Sequence, residues 1–332
     1  MQFYFPSCWP TATEVFESYW YFAAERQRMY FRRLAGHVAV TSDPILGGHR
    51  FTNAYRASDR VSQYLIARVI PASDANAEDI FFRTLLFKIF NKIETWQLLV
   101  RELGEPHWRE TPVCKIFRAL SRAREAGIAI YSAAYIMPSP SLGGTSKADN
   151  HVRLLDSMLR LELHKRWVEC RSLREVYELL RGVPSLGSFL AFQFAIDLGY
   201  TDFVPVNEAS FVVAGPGARS GIAKCFPAFD RRPEDLIMLV TQEQDEQFAA
   251  RGSNFLSLWG RRLQPIDCQN LFCEVDKYAR VAYPGHSGSG RKRIKQSYRP
   301  SGKPIPPPVF PRSWGIDTTS PISVVPAFSF VG

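Results

Sequence analysis

Residues 179–200, with the sequence LLRGVPSLGSFLAFQFAIDLGY, decide the fold that the chain is predicted to adopt. A helix ends in Leu-Leu-Arg, a tight turn runs from Gly182 to Gly187, and a second helix begins at Ser188. A glycine turn lets backbone N–H groups point outward, and the N-terminus of the second helix adds its positive dipole end. This is the layout of a helix–hairpin–helix, in which Gly182, Gly187 and Ser188 would hold a DNA phosphate without reading sequence. The alternative is an ordinary turn between two packed helices.

Helical patterning continues along most of the chain on both sides of this stretch. Apolar residues recur at steps of three and four, whereas the alternating patterns of strands are few and short. The pattern predicts helices over residues 11–34, 58–70, 76–103, 112–127, 148–168, 172–181, 186–198, 208–214, 233–248 and 267–282. We therefore predict a mainly α fold.

The composition is that of a soluble globular protein without a disulfide framework. Hydrophobic residues make up 46% and charged residues 22% of the 332 residues, and no apolar run is long enough to cross a membrane. The first residues, MQFYFPSCWP, lack the pattern of a secretory signal, so we expect a cytoplasmic protein. The six cysteines are too scattered for a zinc ribbon or an iron–sulfur cluster, so we expect no metal and no cofactor.

Positive charge is concentrated at the C-terminal end of the chain. There are 41 basic and 32 acidic residues, a net charge of +9, and the seven bases and one acid from Gly285 onward supply +6 of it. The same stretch is rich in Gly, Ser and Pro, so residues 284–332 are predicted to form a basic tail that is extended unless something holds it. Such a tail suits a polyanionic partner, and the alternative is that it only improves solubility.

A second motif, FVPVNE over residues 203–208, lies about twenty residues after the glycine turn. In helix–hairpin–helix DNA glycosylases a Pro-Val-Asp step at this distance presents the catalytic carboxylate, and this sequence resembles that layout with Asn207 in its place. Asparagine has no titratable proton near neutral pH and cannot serve as a general base. We predict that Asn207 positions the sugar or a water molecule, and that Glu208 or Asp267 supplies the carboxylate.

Residues 213–222, VAGPGARSGI, form a second glycine-rich stretch before a helix start. Gly215, Gly217 and Arg219 are predicted to form a second phosphate cradle, and the alternative is a structural glycine loop. This is not a Walker loop, because no Gly-Lys-Ser/Thr follows. The sequence therefore contains no recognisable nucleotide-kinase site.

Two polar stretches are predicted to line a base pocket. A helix over residues 265–280 would place polar side chains along one side, namely Asp267, Asn270, Glu274 and Lys277, with Gln269 nearby to position the base. In residues 87–96, FKIFNKIETW, Asn91 and Glu94 are predicted to line the pocket, and Lys92 to contact phosphate or the base. The alternatives are a solvated, ion-paired helix face in the first stretch and ordinary core packing around Trp96 in the second.

Six stretches together carry a resemblance to a known family. They are FTNAYRASDRVSQYL from Phe51, FFRTLLFKIFNKIETW from Phe81, AYIMP from Ala134, LGSFLAFQFAIDL from Leu186, NEASFVVAGPGARSGIAKCF from Asn207 and IDCQNLFCEVDKYAR from Ile266. Over residues 10–283 the chain resembles the alpha-glutamyl/putrescinyl thymine pyrophosphorylase family, clade two, also described as the helical domain attached to 5-hydroxymethyluracil DNA kinases. The resemblance implies a relationship to helix–hairpin–helix DNA glycosylases and an association with hypermodified pyrimidines in phage DNA.

The resemblance implies a DNA-glycosylase-like helical domain over residues 1–283, with two helical lobes and a cleft between them, followed by the basic tail. We expect a monomer that binds double-stranded DNA containing modified pyrimidines and no membrane. The first hypothesis is a glycosylase that flips out and excises a 5-hydroxymethyl-derived or glucosylated pyrimidine from phage DNA, as an antiviral defence. The second is a transferase that replaces the pyrophosphate of 5-pyrophosphoryloxymethyluracil in DNA with an amino acid or a polyamine. The third is a non-catalytic reader of modified DNA.

Overall fold

The computed structural model describes residues 9–71, 76–287, 293–299, 304–320 and 322. These residues contain fourteen α-helices and no β-strand, with two isolated β-bridges. The first seven are α1 (Glu14–Leu34), α2 (Pro44–Gly48), α3 (Arg60–Tyr64), α4 (Ala77–Phe90), α5 (Ile93–Leu103), α6 (Val113–Glu125) and α7 (Lys147–Arg160). The others are α8 (Leu163–Glu169), α9 (Leu173–Arg181), α10 (Ser188–Leu198), α11 (Pro216–Cys225), α12 (Pro233–Gln242), α13 (Gln244–Ala250) and α14 (Pro265–Ala282). The predicted mainly α fold is confirmed.

The chain divides into two compact units. Unit 1 comprises Met1–Asp59, Val212–Pro308 and Ile316–Gly332, and unit 2 comprises Arg60–Phe211 and Val309–Gly315. Unit 1 therefore contains α1, α2 and α11 to α14, whereas unit 2 contains α3 to α10. The predicted arrangement of two lobes around a cleft stays a prediction.

Unit 1 is built around the long helix α14, which packs against α1 and, most closely, against α11. Two glycines of α11 make the close approach possible. A Cβ atom at Gly221 would overlap the carbonyl oxygen of Phe272, and one at Gly217 would overlap the Sγ atom of Cys273. Because only glycine lacks a Cβ atom, the sequence of α11 sets how near its backbone can come to α14.

Unit 2 is centred on α4, which contacts α5, α7, α8 and α10. Its apolar residues point in all directions: Phe81, Phe82 and Leu85 are completely buried. A helix that is hydrophobic all round belongs in the middle of a core rather than on its surface. Asn76 begins α4 by accepting a hydrogen bond from the backbone N–H of Asp79, as an N-cap residue does.

Several predicted helices are wrong in their extent. The helix predicted over 76–103 breaks at Asn91, which has a left-handed backbone (φ 49°), and the one over 148–168 breaks at Glu162 (φ 56°). The helix over 233–248 breaks at Glu243, and the one over 58–70 becomes α3 followed by a π-helical turn, Leu65–Val69. The apolar pattern continues across such breaks, because one or two residues of irregular backbone barely shift its phase.

Two further helix predictions fail near residue 210. The predicted helix over 208–214 is wrong, since only a short 3-10 turn, Glu208–Ser210, forms there. The ten-residue helix α11 follows instead, where the sequence analysis predicted a helix start but no helix range. Its glycines and Pro216 read as loop residues in the sequence, but proline fits the first turn of a helix and the glycines serve packing.

Parts of the predicted basic tail pair with the rest of their own unit. In unit 1 the N–H of Arg50 donates to the carbonyl of Gln296 (3.0 Å), and the N–H of Tyr298 donates to the carbonyl of Gly48 (2.9 Å). In unit 2 the N–H of Val309 donates to the side-chain oxygen of Gln63 (2.9 Å). These described segments are thus held rather than free.

Within the described ranges, none of the helices is both long and apolar enough to span a membrane.

Candidate functional site

The predicted glycine turn exists in unit 2 and joins α9 to α10. Gly182, Gly187 and Ser188 are exposed, and the guanidinium of Arg181 donates to the carbonyl of Leu186 (2.9 Å) across the turn. Gly187 is the N-cap residue of α10, so the first N–H groups of that helix lie beside it. The exposure suits the predicted phosphate contact, which stays a prediction.

In the Asn207 motif, which also lies in unit 2, the two neighbouring polar residues differ in burial. Asn207 is exposed, and its side-chain oxygen accepts from the N–H of Ala209 (3.0 Å), which caps the short 3-10 turn. Glu208 is buried. The catalytic roles predicted for this pair stay predictions, and the Asn207 carbonyl group has a local structural role as a cap.

The second glycine stretch, in unit 1, makes structural contacts at each predicted residue. Gly215 is buried as the N-cap residue of α11, and Gly217 faces α14. Arg219 donates to Glu234 (3.1 Å) and to the carbonyl of Ala214 (3.2 Å). These contacts favour the structural alternative, and the phosphate cradle stays a prediction.

The predicted polar residues after α4 hold a neighbouring segment of unit 2. Asn91 donates to the hydroxyl of Ser132 (3.2 Å), and the ammonium of Lys92 donates to the carbonyl of Ala129. Glu94 is exposed and lies 3.6 Å from the guanidinium of Arg60. The left-handed backbone of Asn91 thus ends α4 at a point where its side chain and that of Lys92 fix residues 129–132.

The polar stripe of α14 is buried rather than solvated. Asp267 and Glu274 are 4% exposed, Gln269 is 2% exposed and Asn270 is 9% exposed, which excludes a simple solvated face. Both oxygens of Asp267 are engaged, since Oδ1 accepts from the N–H of Arg56 (2.8 Å) and Oδ2 from the N–H of Gln264 (2.9 Å). The second bond belongs to a capping box that starts α14, so the predicted catalytic carboxylate already stabilises a helix end.

Further along α14, Glu274 and Lys277 meet a segment that follows α2. Oε2 of Glu274 accepts from the N–H of Thr52 (3.2 Å) and forms an ion pair with the ammonium of Lys277 (2.6 Å). The same ammonium lies 5.5 Å from the ring centroid of Phe51. The Thr52 hydroxyl is buried and has no hydrogen-bond partner among the residues that the structure describes.

Arg26 of α1 and the Phe51 segment complete this arrangement. The guanidinium of Arg26 donates to the carbonyl of Thr52 (3.0 Å) and to the side-chain oxygen of Asn53 (2.9 Å). The N–H of Asn53 donates to a carboxylate oxygen of Asp59 (2.8 Å). We call Arg26, Asn53, Asp59, Glu274 and Lys277 the Asp59 cluster.

Two members of the Asp59 cluster, Asp59 and Arg26, have pKa values shifted from their ordinary values. Burial raises the pKa of Asp59 to about 7, with the nearby Glu274 acting in the same direction, while the Asn53 N–H, Arg26 and Arg56 only partly oppose it. Burial also lowers the pKa of Arg26 to about 10. A carboxyl group that titrates near neutral pH can both accept and release a proton, which is typical of catalytic sites.

The sequence analysis placed Glu274 and Lys277 in a site but missed Arg26, Asn53 and Asp59. The available signal was the stretch from Phe51, which contains Asn53 and Asp59 and carries part of the family resemblance. The structure brings this stretch onto α14, which carries another part.

A second charged constellation lies inside unit 2 and was also missed. The ammonium of Lys88 on α4 lies 2.8 Å from a carboxylate oxygen of Asp197 on α10, and both side chains are 3% exposed. The ammonium also lies 4.1 Å from the ring centroid of Tyr135, whose backbone is left-handed (φ 55°). Lys88, Asp197 and Tyr135 come from three stretches of the resemblance, and we call the first two the Lys88 pair.

No group of three or more His, Cys, Asp or Glu residues that could hold a metal ion occurs within the described part of the chain.

Comparisons with known proteins identify the family. The family model of the 5-hmdU DNA kinase helical domain matches residues 13–288, so the chain belongs to that family. A 5-hmdU DNA kinase of Bacillus phage SP10 is 24% identical over 297 residues, which cover 81% of this chain. The match covers 45% of that relative, so the chain spans less than half of its length. No solved structure matches the chain.

The predicted family resemblance is thereby confirmed at the level of the helical domain. Neither comparison names a glycosylase, so the predicted relationship to DNA glycosylases stays a prediction.

Proposed function

We propose that this chain is a transferase that acts on thymine-derived bases in DNA, at the carbon that bears the 5-hydroxymethyl oxygen. In the reaction, an amino group of an amino acid or a polyamine replaces pyrophosphate on 5-pyrophosphoryloxymethyluracil. Sequence similarity supports this proposal. Both the matching family model and the phage relative carry the name of a 5-hmdU DNA kinase, an enzyme that phosphorylates a hydroxymethylated base in DNA. Phosphorylation turns a poor leaving group into a good one, and a displacement step is its chemical continuation.

The observation that carries the proposal is the Asp59 cluster of unit 1. A displacement by an amine needs a base that accepts the proton of the attacking nitrogen, and it needs positive charge near the departing pyrophosphate. Asp59 is a partly buried carboxyl group that changes its protonation near neutral pH, which suits the first requirement. Lys277 is a half-buried ammonium group in the same cluster, which suits the second.

The step balances without a redox partner. The amine nitrogen attacks the 5-methylene carbon, a C–N bond forms, and the C–O bond to pyrophosphate breaks with its electron pair leaving on oxygen. The proton lost by the attacking nitrogen goes to the Asp59 carboxylate, and solvent later removes it. Glu274 holds Lys277 in place through their ion pair, which orients the ammonium group.

The excision hypothesis has weaker support than transfer. Breaking the bond between base and sugar is a hydrolysis, and neither comparison carries the name of a hydrolase. The residue pair on which that hypothesis depends consists of an exposed amide, Asn207, and a buried acid, Glu208. The proposal assigns no phosphorylation step to these residues, because the sequence contains no Walker loop.

The experiment supplies the purified chain with duplex DNA that contains synthetic 5-pyrophosphoryloxymethyl-deoxyuridine, together with putrescine or glutamate. Pyrophosphate release is followed by a coupled assay, and the nucleosides are identified by mass spectrometry after digestion of the DNA. We expect an amine-substituted nucleoside with the wild-type chain. With Asp59→Asn the rate should fall by about 10²–10⁴-fold, the usual contribution of a general base.

The matched control is Asp230→Asn, which removes an exposed carboxylate of the same unit and should leave the rate unchanged. The wild-type rate should rise with pH and level off above about pH 7, where Asp59 is ionised. Release of a free base together with abasic sites in the DNA would show that the enzyme excises the base and does not transfer an amine to it. Folded protein that yields neither product would overturn the proposal.

A further inference from the structure

Residues 293–299, with the sequence RIKQSYR, run antiparallel to residues 48–50 of the same unit. Two backbone hydrogen bonds, described above between Arg50 and Gln296 and between Tyr298 and Gly48, flank a bridge between His49 and Ser297. We call residues 293–299 the basic strap. Its attachment point directly precedes Phe51, the first residue of the segment that supplies Asn53 and Asp59 to the Asp59 cluster.

The basic side chains of the strap are exposed, and two of its other residues are half-buried. Arg293, Lys295 and Arg299 are exposed, whereas Ile294 and Tyr298 are half-buried. Successive side chains of an extended strand point to opposite faces, so the three basic side chains share one face. The chain thus presents its cations outward while the other face packs onto unit 1.

Tyr298 anchors the strap through its ring as well as through its backbone. The guanidinium of Arg33 lies 4.8 Å from the centroid of that ring, within the range of a cation–π contact. The N–H of Tyr298 donates to the carbonyl of Gly48 on the opposite segment. A flexible basic tail would lose conformational entropy on binding a polyanion, and a strap that is already held loses less.

We propose that the basic strap binds the phosphate backbone of a DNA strand and leads that strand to the Asp59 cluster. This inference rests on the proposed function in one respect, namely that the Asp59 cluster is the site that the DNA strand must reach. Every second residue of a strand advances ~6.6 Å, which is about two nucleotide steps of ~3.4 Å along a duplex axis. Lys295 lies one such step from Arg293 and two such steps from Arg299, so the three cations can contact phosphates along one strand without contacting bases.

The charge of the surface agrees with a DNA partner. The strap contains three cations and no acid, and Arg50 at its attachment point is exposed and adds a fourth cation. Arginine and lysine contacts to phosphate give affinity that is independent of sequence and sensitive to salt. Such contacts position a substrate strand, and they leave recognition of the modified base to the site itself.

The test measures binding of the full chain to an unmodified duplex by fluorescence anisotropy at several salt concentrations. The strap variant carries Arg293→Gln, Lys295→Gln and Arg299→Gln together. We expect affinity to fall on the order of 10²-fold at low salt, and the slope of log K against log salt to shrink by up to ~2.7, at ~0.9 for each lost phosphate contact. The three side chains are exposed, so circular dichroism and thermal unfolding should match the wild type.

The matched control removes three exposed cations of α6 in unit 2, through Lys115→Gln, Arg118→Gln and Arg124→Gln. It changes the net charge equally and should leave the salt slope close to that of the wild type. Wild-type affinity and slope in the strap variant would overturn the inference, and so would an equal loss in both variants. The assay contains no pyrophosphorylated base and no amine, so failure of the transfer reaction alone would not affect its outcome.

Discussion

The Asp59 cluster of unit 1 and the Lys88 pair of unit 2 each place an aspartate among charged groups, but the two aspartates differ in burial and in the charge that compensates them. Asp197 has a full ammonium charge 2.8 Å away, and that lysine is as buried as the aspartate itself. Asp59 has the N–H of Asn53 at 2.8 Å, and the negative charge of Glu274 opposes its ionisation. Asp197 thus has a lysine as its direct ion-pair partner, whereas burial, with Glu274 acting in the same direction, raises the pKa of Asp59 to about 7.

The difference suggests that the Lys88 pair has a structural role and the Asp59 cluster a functional one. The Lys88 pair is a buried ion pair that connects α4 to α10. A carboxyl group such as Asp59, whose charge is only partly compensated, costs stability, and such groups are concentrated at functional sites. Three predictions test this contrast, beginning with the largest effect on stability.

Breaking the Lys88 pair should destabilise the protein strongly. Lys88→Met removes the cation that lies beside the buried carboxylate of Asp197, which costs ~3–5 kcal/mol in the free energy of unfolding. Urea denaturation followed by circular dichroism measures the loss. The double variant Lys88→Met/Asp197→Leu should recover much of it, because an apolar pair of similar volume needs no charge compensation.

An exposed pair provides the comparison for that experiment. Lys165 and Glu162 lie 2.6 Å apart, and both side chains are about 60% exposed. Lys165→Met should change stability by no more than ~1 kcal/mol, because water screens exposed charges. Equal losses at the two sites would show that the Lys88 pair has no special role in unit 2.

Separating α11 from α14 should disturb the Asp59 cluster and leave the Lys88 pair unaffected. Gly221→Ala places a methyl group against the carbonyl of Phe272, and overpacking of this kind costs ~1–3 kcal/mol. Because α14 carries Glu274 and Lys277, the pH at which transfer is half-maximal should shift as well. Denaturation and a pH–rate profile measure the two effects.

Gly187→Ser is the control for that substitution. A Cβ atom there would meet no other atom within 4 Å, and serine is a favoured N-cap residue. Stability should therefore stay within ~0.5 kcal/mol of the wild type. A destabilisation as large as that of Gly221→Ala would contradict the close-packing explanation.

Removing the charge of Asp59 should stabilise the protein at neutral pH, the opposite of what removal of the Lys88 charge does. The folded pKa of about 7 lies above the reference value of 3.8, so between about pH 4 and 7 the native state keeps a proton that the unfolded chain has released. Stability contributed by Asp59 therefore falls as pH rises through that window, and the whole cost is present above it. Asp59→Asn should raise the unfolding free energy on the order of 2 kcal/mol at pH 8 and very little at pH 4.

Denaturation of wild type and variant at pH 4, 6 and 8 measures this trend. An increase in stability that does not depend on pH would assign the effect to packing rather than to the charge. A variant that is more stable yet inactive in transfer would connect the cost of Asp59 with its proposed use.

The sequence predicted isolated helices well and interrupted helices poorly. The helices at 112–127, 172–181 and 186–198 end within two residues of α6, α9 and α10. The predicted helix over 76–103 was wrong because Asn91 adopts a left-handed backbone while the apolar spacing continues beyond it. That conformation is stabilised by contacts such as the bond from Asn91 to Ser132, which comes from a distant part of the chain.

The candidate site was predicted in part. The polar stripe of α14 was recognised because local spacing places its residues on one side of a helix, and Glu274 and Lys277 belong to the Asp59 cluster. Asp267 has both oxygens bonded to backbone N–H groups, and its predicted catalytic role stays a prediction. The capping bond from Gln264 is local and follows from the helix start at Pro265, whereas the bond from Arg56 comes from a distant part of the chain and has no local signal.

The sequence by itself determined the helical class, the turn between α9 and α10, the family and the positive charge near the C-terminus. These properties follow from residue types and from spacing along a single segment. Only the tertiary structure decided which carboxyl groups are paired, which one has a pKa near neutrality, and where the basic strap is held. Those properties depend on desolvation and on nearby charges in space, and two of the charges that act on Asp59, those of Arg26 and Glu274, come from distant parts of the chain.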